Sequence, residues 1–163
     1  MEPSENAYQI IKQWENLRCR AYKALPDEKY YTIGYGHCAP DVTKNMYITV
    51  ADAEALLKAD VAKYSQLLYA LNTTLLQHQY DALISLIYNI GWYRFKYSMT
   101  GDTVAKLNKE TTPLDVARRM ILWVYSCGKV VLGLQRRRVM EANYFLGYDC
   151  FTLEDGEIYE HSL

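Results

Sequence analysis

The sequence has few of the residues that hold small or metal-dependent folds together. Four cysteines and three histidines occur among its 163 residues. The cysteines, Cys19, Cys38, Cys127 and Cys150, form no Cys-x-x-Cys pair and have no spacing typical of metal ligands. A chain of this length buries about 70% of the surface that it exposes when unfolded, so it needs no disulfide or metal for stability. We therefore expect reduced thiols, no metal and no cofactor.

Long apolar runs and an excess of charge are also missing. No stretch approaches the ~18 apolar residues of a membrane span, and the start, MEPSENAYQ, lacks the basic and apolar regions of a signal peptide. We therefore expect a protein that stays inside the producing cell without spanning a membrane. The formal net charge is −1, from 18 basic and 19 acidic residues. This balance supplies no general attraction for nucleic acid, and no nucleic-acid partner is expected.

Half of the residues are apolar, and most of them recur at helical spacing. The segment from Ala21 to Tyr35 is different, because it is rich in Tyr and Thr and is interrupted by Pro26. It predicts a hairpin or meander, the only β segment expected. Helices are predicted from Ser4 to Glu15, from Thr49 to Leu71 (one helix, or two broken near Asp60), from about Ala82 to Gly91, from Thr112 to about Cys127, and from Leu132 to Gly147.

This order of elements predicts an α+β fold in one domain, residues 1–148. The hairpin lobe is expected at about 16–48 and a larger helical lobe at about 49–147, with a cleft between the two. Residues 149–163 are acidic and are expected to form a loose tail.

Glu15 is a candidate general acid. It ends the first predicted helix beside the apolar face that carries Trp14, where desolvation favours a protonated carboxyl. A glycosidase of the ordinary kind pairs such an acid with a second carboxylate across the scissile bond. From its position alone, Glu15 is also compatible with a solvated residue at a helix end.

Four ordered stretches between Ile10 and Leu146 carry a family resemblance. They are similar to the phage-type lysozymes, the endolysin glycoside hydrolases related to the T4 and lambdoid enzymes. The stretches are Glu15-Asn16-Leu17-Arg18 with Ala21-Tyr22-Lys23 and Thr32 to His37; Ile48-Thr49 with Ala53-Glu54, Leu57 and Asp60; Gln79, Asp81-Ala82-Leu83, Ser85, Tyr88-Asn89 and Gly91; and Trp123, Gly128-Lys129-Val130, Gly133-Leu134, Arg136-Arg137 and Glu141.

The resemblance implies a hairpin-bearing lobe packed on a helical lobe, with the active cleft between them. It also implies hydrolysis of the β-1,4 bond between N-acetylmuramic acid and N-acetylglucosamine in peptidoglycan, without a cofactor and with inversion. Glu15 takes the position of the family's general acid. Thr32 takes the position of its catalytic threonine, whose hydroxyl holds the attacking water.

The second carboxylate departs from the family pattern. Ala24 stands where the family has an aspartate or sometimes a cysteine, and the loop from Ala24 to Thr32 is longer by two residues. Asp27 in this loop is the candidate that restores the carboxylate, and Glu28 is the fallback. Asp27 is equally compatible with a turn residue after proline.

The resemblance and the composition suggest four substrate-binding residues. Tyr35 is the best cleft candidate among 16 tyrosines, and Trp123 is expected either at the cleft or in the core. One of Arg136 and Arg137 is expected near the acid, where a guanidinium orients Glu15 or holds substrate oxygens. Glu141, one turn after Arg137, is expected to pair with it.

His37 is expected to be a hydrogen-bonded structural residue rather than a base. The sequence as a whole therefore predicts a muramidase that acts on bacterial peptidoglycan as a monomer. It is expected in the cytoplasm of a phage-infected or prophage-bearing bacterium, reaching the wall through a holin-like or secretion route. The alternative is a lysozyme-fold domain that has lost turnover at Ala24 and serves as a wall-binding or scaffold module.

Overall fold

The computed structural model describes residues 1–23 and 27–161, so Ala24 lies outside the described residues. Over these ranges the chain forms seven helices and seven short strands, the α+β class that the sequence predicts. No helix in the described ranges has both the length and the apolarity to cross a membrane. In chain order the elements are α1 (Glu5–Trp14), β1 (Arg18–Tyr22), β2 (Thr32–Gly34), β3 (His37–Cys38), α2 (Val50–Tyr69), α3 (Gln77–Ile90), α4 (Trp92–Lys96), α5 (Met99–Ala105), α6 (Pro113–Met120), β4 (Tyr125–Ser126), β5 (Lys129–Val130), α7 (Leu132–Leu146), β6 (Phe151–Glu154) and β7 (Glu157–Glu160).

The predicted β segment folds as a three-stranded antiparallel sheet in the order β1-β2-β3. Tyr22 of β1 pairs with Thr32 of β2. Below the sheet, Ile33 contributes to a small core with Val42, Ile48 and Ala53, the last from the first turn of α2. This packing fixes the sheet against α2, so Thr32 has a defined position in the fold.

The predicted buried central helix is α3. Every residue from Gln79 to Ile87 in this helix is buried, and α3 packs against α1, α2 and α7. Of the two alternatives for residues 49–71, the unbroken one is observed, since α2 runs for 20 residues behind a capping box of Thr49 and Asp52. The helical lobe is therefore built around α3.

The predicted helix from Thr112 ends earlier than expected. Its first turn is capped by Thr112 and Asp115 as predicted, but α6 stops at Met120 rather than near Cys127. Cys127 and Gly128 have φ values of 49° and 75°, and they turn the chain between β4 and β5. Consecutive positive φ angles are typical of two-residue hairpin turns and incompatible with a helix. The expectation of a single β segment is therefore wrong.

The expected loose tail is wrong as well, because β6 and β7 form a hairpin. Asp155 and Gly156, with φ of 49° and 83°, make its turn. Phe151 is 1% exposed and belongs to the main core. The Asn143 side chain accepts from the Phe151 N–H at 2.9 Å and donates to its carbonyl at 2.9 Å. The hairpin is thus anchored to α7 and completes the helical lobe.

We expect Phe151→Ala to lower the free energy of unfolding by about 3–5 kcal/mol, because it removes a fully buried aromatic ring. Tyr159→Ala changes a 44% exposed ring in the same hairpin and serves as the matched control, with little effect expected. Urea denaturation measures both. Equal stability of the two variants would contradict an anchored hairpin.

Candidate active site

Glu15 lies where the hairpin lobe and the helical lobe meet. It ends α1, with its backbone N–H donating to the Ile11 carbonyl at 2.9 Å, and its side chain is 24% exposed. Oε2 faces Gly36 in the turn between β2 and β3, and a Cβ placed on Gly36 would lie 3.6 Å from it. Gly36 has φ +94°, which favours glycine. The backbone thus leaves open space beside one carboxylate oxygen.

Arg137 of α7 holds the other oxygen of Glu15. Its Nη1 donates to Glu15 Oε1 at 2.6 Å, and its Nε donates to Glu141 Oε1 at 2.9 Å. Its Nη2 donates to the Ser85 carbonyl of α3 at 3.2 Å. Only 4% of the Arg137 side chain is exposed. The predicted pairing of Glu141 with Arg137 is confirmed, and Arg137 also orients the candidate acid.

Glu141 is fully buried and serves both inward-facing arginines. Besides the Arg137 bond, it accepts from Ser85 Oγ at 2.6 Å and from Arg138 Nη1. Arg138, also fully buried, donates to the Asn89 side chain and to the Trp123 carbonyl at 3.1 Å. Burial of a charge without partners is costly, and this carboxylate pairs with both guanidinium groups, while Glu15 supplies a second negative charge at Arg137.

The charges in this cluster shift the pKa values of the two arginines in opposite directions. Burial opposes the charged form of Arg137, but the carboxylates of Glu141 and Glu15 outweigh it and raise the pKa of its guanidinium. Burial lowers the pKa of Arg138 despite Glu141. The sequence predicted neither the role of Arg138 nor that of Ser85, since a run of three arginines does not reveal which faces are buried.

Thr32 is buried at 9% exposure in β2, directly across the sheet from Tyr22. The Arg18 guanidinium lies over the Tyr22 ring at 4.2 Å from its centroid. Burial raises the pKa of Tyr22, and the negative charges of Glu15 and Glu28 raise it further, against the opposing effect of Arg18. Both carboxylates therefore act on the phenol that faces Thr32.

The loop between β1 and β2 contains both candidates for the second carboxylate. Asp27 is exposed, whereas Glu28 is half-buried. Lys23, which follows Tyr22, donates from Nζ to the Glu28 carbonyl at 2.5 Å. The same ammonium lies 5.1 Å from the centroid of the Tyr31 ring. These contacts hold the chain at Glu28 next to the end of β1.

Tyr35 connects the two lobes. Its ring packs against both apolar clusters, and its carbonyl accepts from the Tyr88 hydroxyl of α3 at 2.7 Å. Burial raises the pKa of Tyr88, so its hydroxyl stays protonated and remains a donor. His37 has the structural role that the sequence predicts, with Nδ1 at 2.7 Å from Asp60 and 8% exposure.

Two predicted substrate-binding residues lie in other surroundings. Arg136 is exposed and lines a separate groove along α7 with His78 and Tyr148. Trp123 packs on the main core and donates from Nε1 to Thr100 Oγ1 at 2.9 Å. Of the two arginines that the sequence left open, Arg137 is therefore the one at the acid.

A groove of about 700 Å³ has Gly36, the neighbour of Glu15 Oε2, in its lining. It is bounded by β3, α2, the end of α3 and the short helix α4. A surface groove of this size is typical of a ligand site. Its lining includes Gly36, His37, Asp60, Lys63, Tyr64, Tyr88, Trp92, Tyr93, Arg94 and Lys96.

We expect Glu141→Gln to destabilise the fold by about 3–5 kcal/mol, because it leaves the buried guanidinium of Arg138 without a carboxylate partner and Arg137 with Glu15 alone. Glu110→Gln, an exposed residue with only a 3.9 Å contact to Lys106, is the control and should change little. Chemical denaturation of both variants tests the difference. A small effect at Glu141 would mean that the cluster tolerates an uncompensated charge.

Comparison with known proteins places this geometry in a family. Residues 12–141 match the family described as Phage lysozyme. The endolysin of Bacillus phage PZA is 40% identical over 146 residues, which make up 89% of this chain and 55% of that protein. The endolysin of Salmonella phage P22 is 32% identical over 146 residues, 85% of this chain and 94% of that protein.

Solved structures agree. The muramidase domain of SpmX from Asticaccaulis excentricus is similar at a TM-score of 0.77 and 33% identity, over 89% of this chain and 97% of that one. The endolysin from Escherichia coli O157:H7 phage FAHEc1 has a TM-score of 0.70 and 32% identity, over 90% and 94%. The predicted lysozyme-like fold is thereby confirmed.

The chain spans about half the length of its curated relatives from Bacillus phages PZA and B103. Nevertheless, the family match covers most of the present sequence, including Glu15, Thr32 and Arg137. The chain belongs to the phage lysozyme family.

Proposed function

We propose that the chain is a muramidase, which hydrolyses the β-1,4 bond between N-acetylmuramic acid and N-acetylglucosamine in bacterial peptidoglycan. The observation that carries this proposal is the Glu15–Arg137 ion pair beside Gly36. It supplies a carboxyl group with fixed orientation beside a groove, as a general acid for glycoside cleavage requires. Named relatives in the family, which are endolysins, support the same activity.

Glu15 acts as the general acid. Its Oε1 accepts from Arg137, so in the protonated acid the transferable proton is on Oε2, the oxygen that faces Gly36. The proton passes from Oε2 to the glycosidic oxygen as the bond to the sugar breaks. Arg137 cannot act as the acid, because the pKa of its guanidinium is raised.

Thr32 positions the attacking water. Thr32, a largely buried residue, lies on the hairpin side of the site, across from Tyr22. In an inverting reaction, water attacks the face of the sugar opposite the leaving group, and a second carboxylate activates it from about 6.5–9.5 Å away from the acid. The reaction needs only these groups and water, so it requires no cofactor.

Glu28 is the stronger candidate for that second carboxylate, although the sequence favoured Asp27. Glu28 is half-buried and its charge acts on Tyr22 together with that of Glu15. Asp27 is exposed, and an exposed carboxylate is screened by solvent. A base that activates water must stay close to Thr32, which favours the residue whose backbone Lys23 holds.

The proposed substrate places the site of action at the bacterial wall. Accumulation in the cytoplasm of the producing cell, followed by release through a holin-like or secretion route, stays a prediction. The monomeric state does too.

We expect Glu15→Gln to keep the fold and to reduce muropeptide release by roughly 10²–10⁴-fold, because proton donation is lost. Glu54→Gln, which breaks the 2.7 Å pair with Lys12 away from Arg137, is the control and should retain activity. Reducing ends released from purified peptidoglycan are the readout, with the first product expected in the α configuration. Binding of the parent protein without any release would support the wall-binding alternative instead.

The loop carboxylates are tested as a matched pair. We expect Glu28→Gln to lose roughly 10²–10⁴-fold in turnover, as expected for removal of a base, while Asp27→Asn retains most of its activity. Both variants remove one charge from the same loop, so a general charge effect would change them equally. The reverse order of activities would show that Asp27 is the base.

A further inference from the structure

We propose that the exposed face of α4 is a binding surface for peptide-bearing glycan. It binds a part of the strand that is distant from the scissile bond. We call this surface the α4 platform; it consists of Tyr93, Arg94 and Lys96 of α4, with Tyr97 directly after the helix and Lys63 of the neighbouring α2. The proposal rests on the proposed function, since it assumes that peptidoglycan enters the groove at Glu15. It adds the part of the substrate that the groove recognises: sugar faces together with the carboxylates of the peptide stems.

The residues of α4 are either buried in the protein core or exposed to solvent. Trp92 and Phe95, three positions apart, point inward with 8% and 0% exposure, and their ring centroids lie 5.8 Å apart. The residues around them, Tyr93, Arg94 and Lys96, are exposed. The inward pair anchors α4 in the main core, and the outward residues are free to contact a ligand.

The helix is also held tightly at its C-terminal end. Ser98 Oγ donates to the Phe95 carbonyl at 2.7 Å. Gly101 of α5 approaches so closely that a Cβ there would lie 2.4 Å from that carbonyl oxygen and 2.9 Å from the carbonyl oxygen of Lys96. A surface with a fixed backbone loses little conformational entropy when a ligand binds.

Two tyrosine rings provide flat apolar faces on the α4 platform. Tyr93 and Tyr97 are 75% and 76% exposed, and their rings are nearly parallel, 10° apart in plane with centroids separated by 6.5 Å. Exposed aromatic pairs do little for folding, whereas Tyr at a surface combines an apolar face with a hydroxyl suited to polar ligands. The apolar C–H face of a pyranose ring matches such a surface.

The same surface carries an excess of positive charge. Lys63, Arg94 and Lys96 line the groove, and among its described lining residues Asp60 is the one acid. Asp60 already contacts His37 at 2.7 Å and Lys63 at 3.2 Å. Because the whole chain has a net charge of −1, this excess is a local property of the groove and favours anions there.

Because the groove adjoins the candidate active site, a glycan strand is the favoured ligand of the α4 platform. The groove is lined by Gly36, the neighbour of Glu15 Oε2, and by Lys63, Tyr93, Arg94 and Lys96 of the α4 platform. A glycan strand positioned for cleavage therefore continues along the groove to the platform. Its peptide stems carry free carboxylates, which complement Arg94 and Lys96, while its sugars reach the two tyrosine rings.

The experiment measures binding separately from cleavage. Variants are made in the Glu15→Gln background, and cosedimentation is measured with three probes: intact sacculi freed of phosphate polymers, the same sacculi after amidase removal of the peptide stems, and sacculi that retain phosphate polymers. The paired changes are Arg94→Gln with Lys96→Gln, and Tyr93→Ala with Tyr97→Ala. Lys58→Gln with Lys109→Gln, and Tyr69→Ala with Tyr125→Ala, change exposed residues of other elements as matched controls.

We expect the charge pair to weaken binding to stem-bearing sacculi roughly tenfold, as a sum of exposed charge contacts, and to have little effect on stem-free glycan. The tyrosine pair should weaken binding to both, and the salt dependence of the charge variant should be smaller. Platform variants that bind like their controls would overturn the proposal, as would parent binding that depends on phosphate polymers. Failure of the proposed function is seen separately, as absence of muropeptide release by the parent.

Discussion

The buried carboxylate of Glu141 is the interaction on which the rest of the site depends. It forms ion pairs with both Arg137 and Arg138 inside the contact between α3 and α7, where unpaired ions are costly. With its Nε directed to Glu141, Arg137 has Nη1 left to hold Glu15 Oε1. The candidate acid is therefore oriented by the core of the helical lobe, although it belongs to the end of α1.

Much of the fold could be predicted from sequence because local signals agreed with the tertiary structure. The capping pairs Thr49–Asp52 and Thr112–Asp115 mark helix starts as expected. The wrong predictions concern segments whose secondary structure depends on a tight turn. The Asp155–Gly156 turn makes a hairpin of an acidic segment that looked like a tail, and Cys127–Gly128 ends the helical pattern early. Phe151 became part of the core through long-range packing, which periodicity does not reveal.

Some residues of the candidate site could likewise be predicted from the sequence, and others could not. Glu15 and Thr32 could be selected because they occupy positions of the phage lysozyme motifs, and they lie at a helix end and in a short strand as that resemblance implies. The choice between Arg136 and Arg137 required the orientation of α7, which directs one inward and the other to solvent. The difference in burial between Asp27 and Glu28, and the contact of Lys23 with the Glu28 carbonyl, could be seen only in the structure. The α4 platform arises from residues whose exposure becomes clear only when Trp92 and Phe95 are seen to be buried.

The most direct test of this account is a double-mutant cycle on unfolding free energy between Glu15→Gln and Arg137→Lys. Lysine keeps a positive charge for Glu141 but lacks the planar fork that reaches both carboxylates. If the core of the helical lobe holds the acid, the two changes should couple by about 0.5–3 kcal/mol. Additivity within about 0.3 kcal/mol would contradict it, because Glu15 would then be oriented by something other than Arg137.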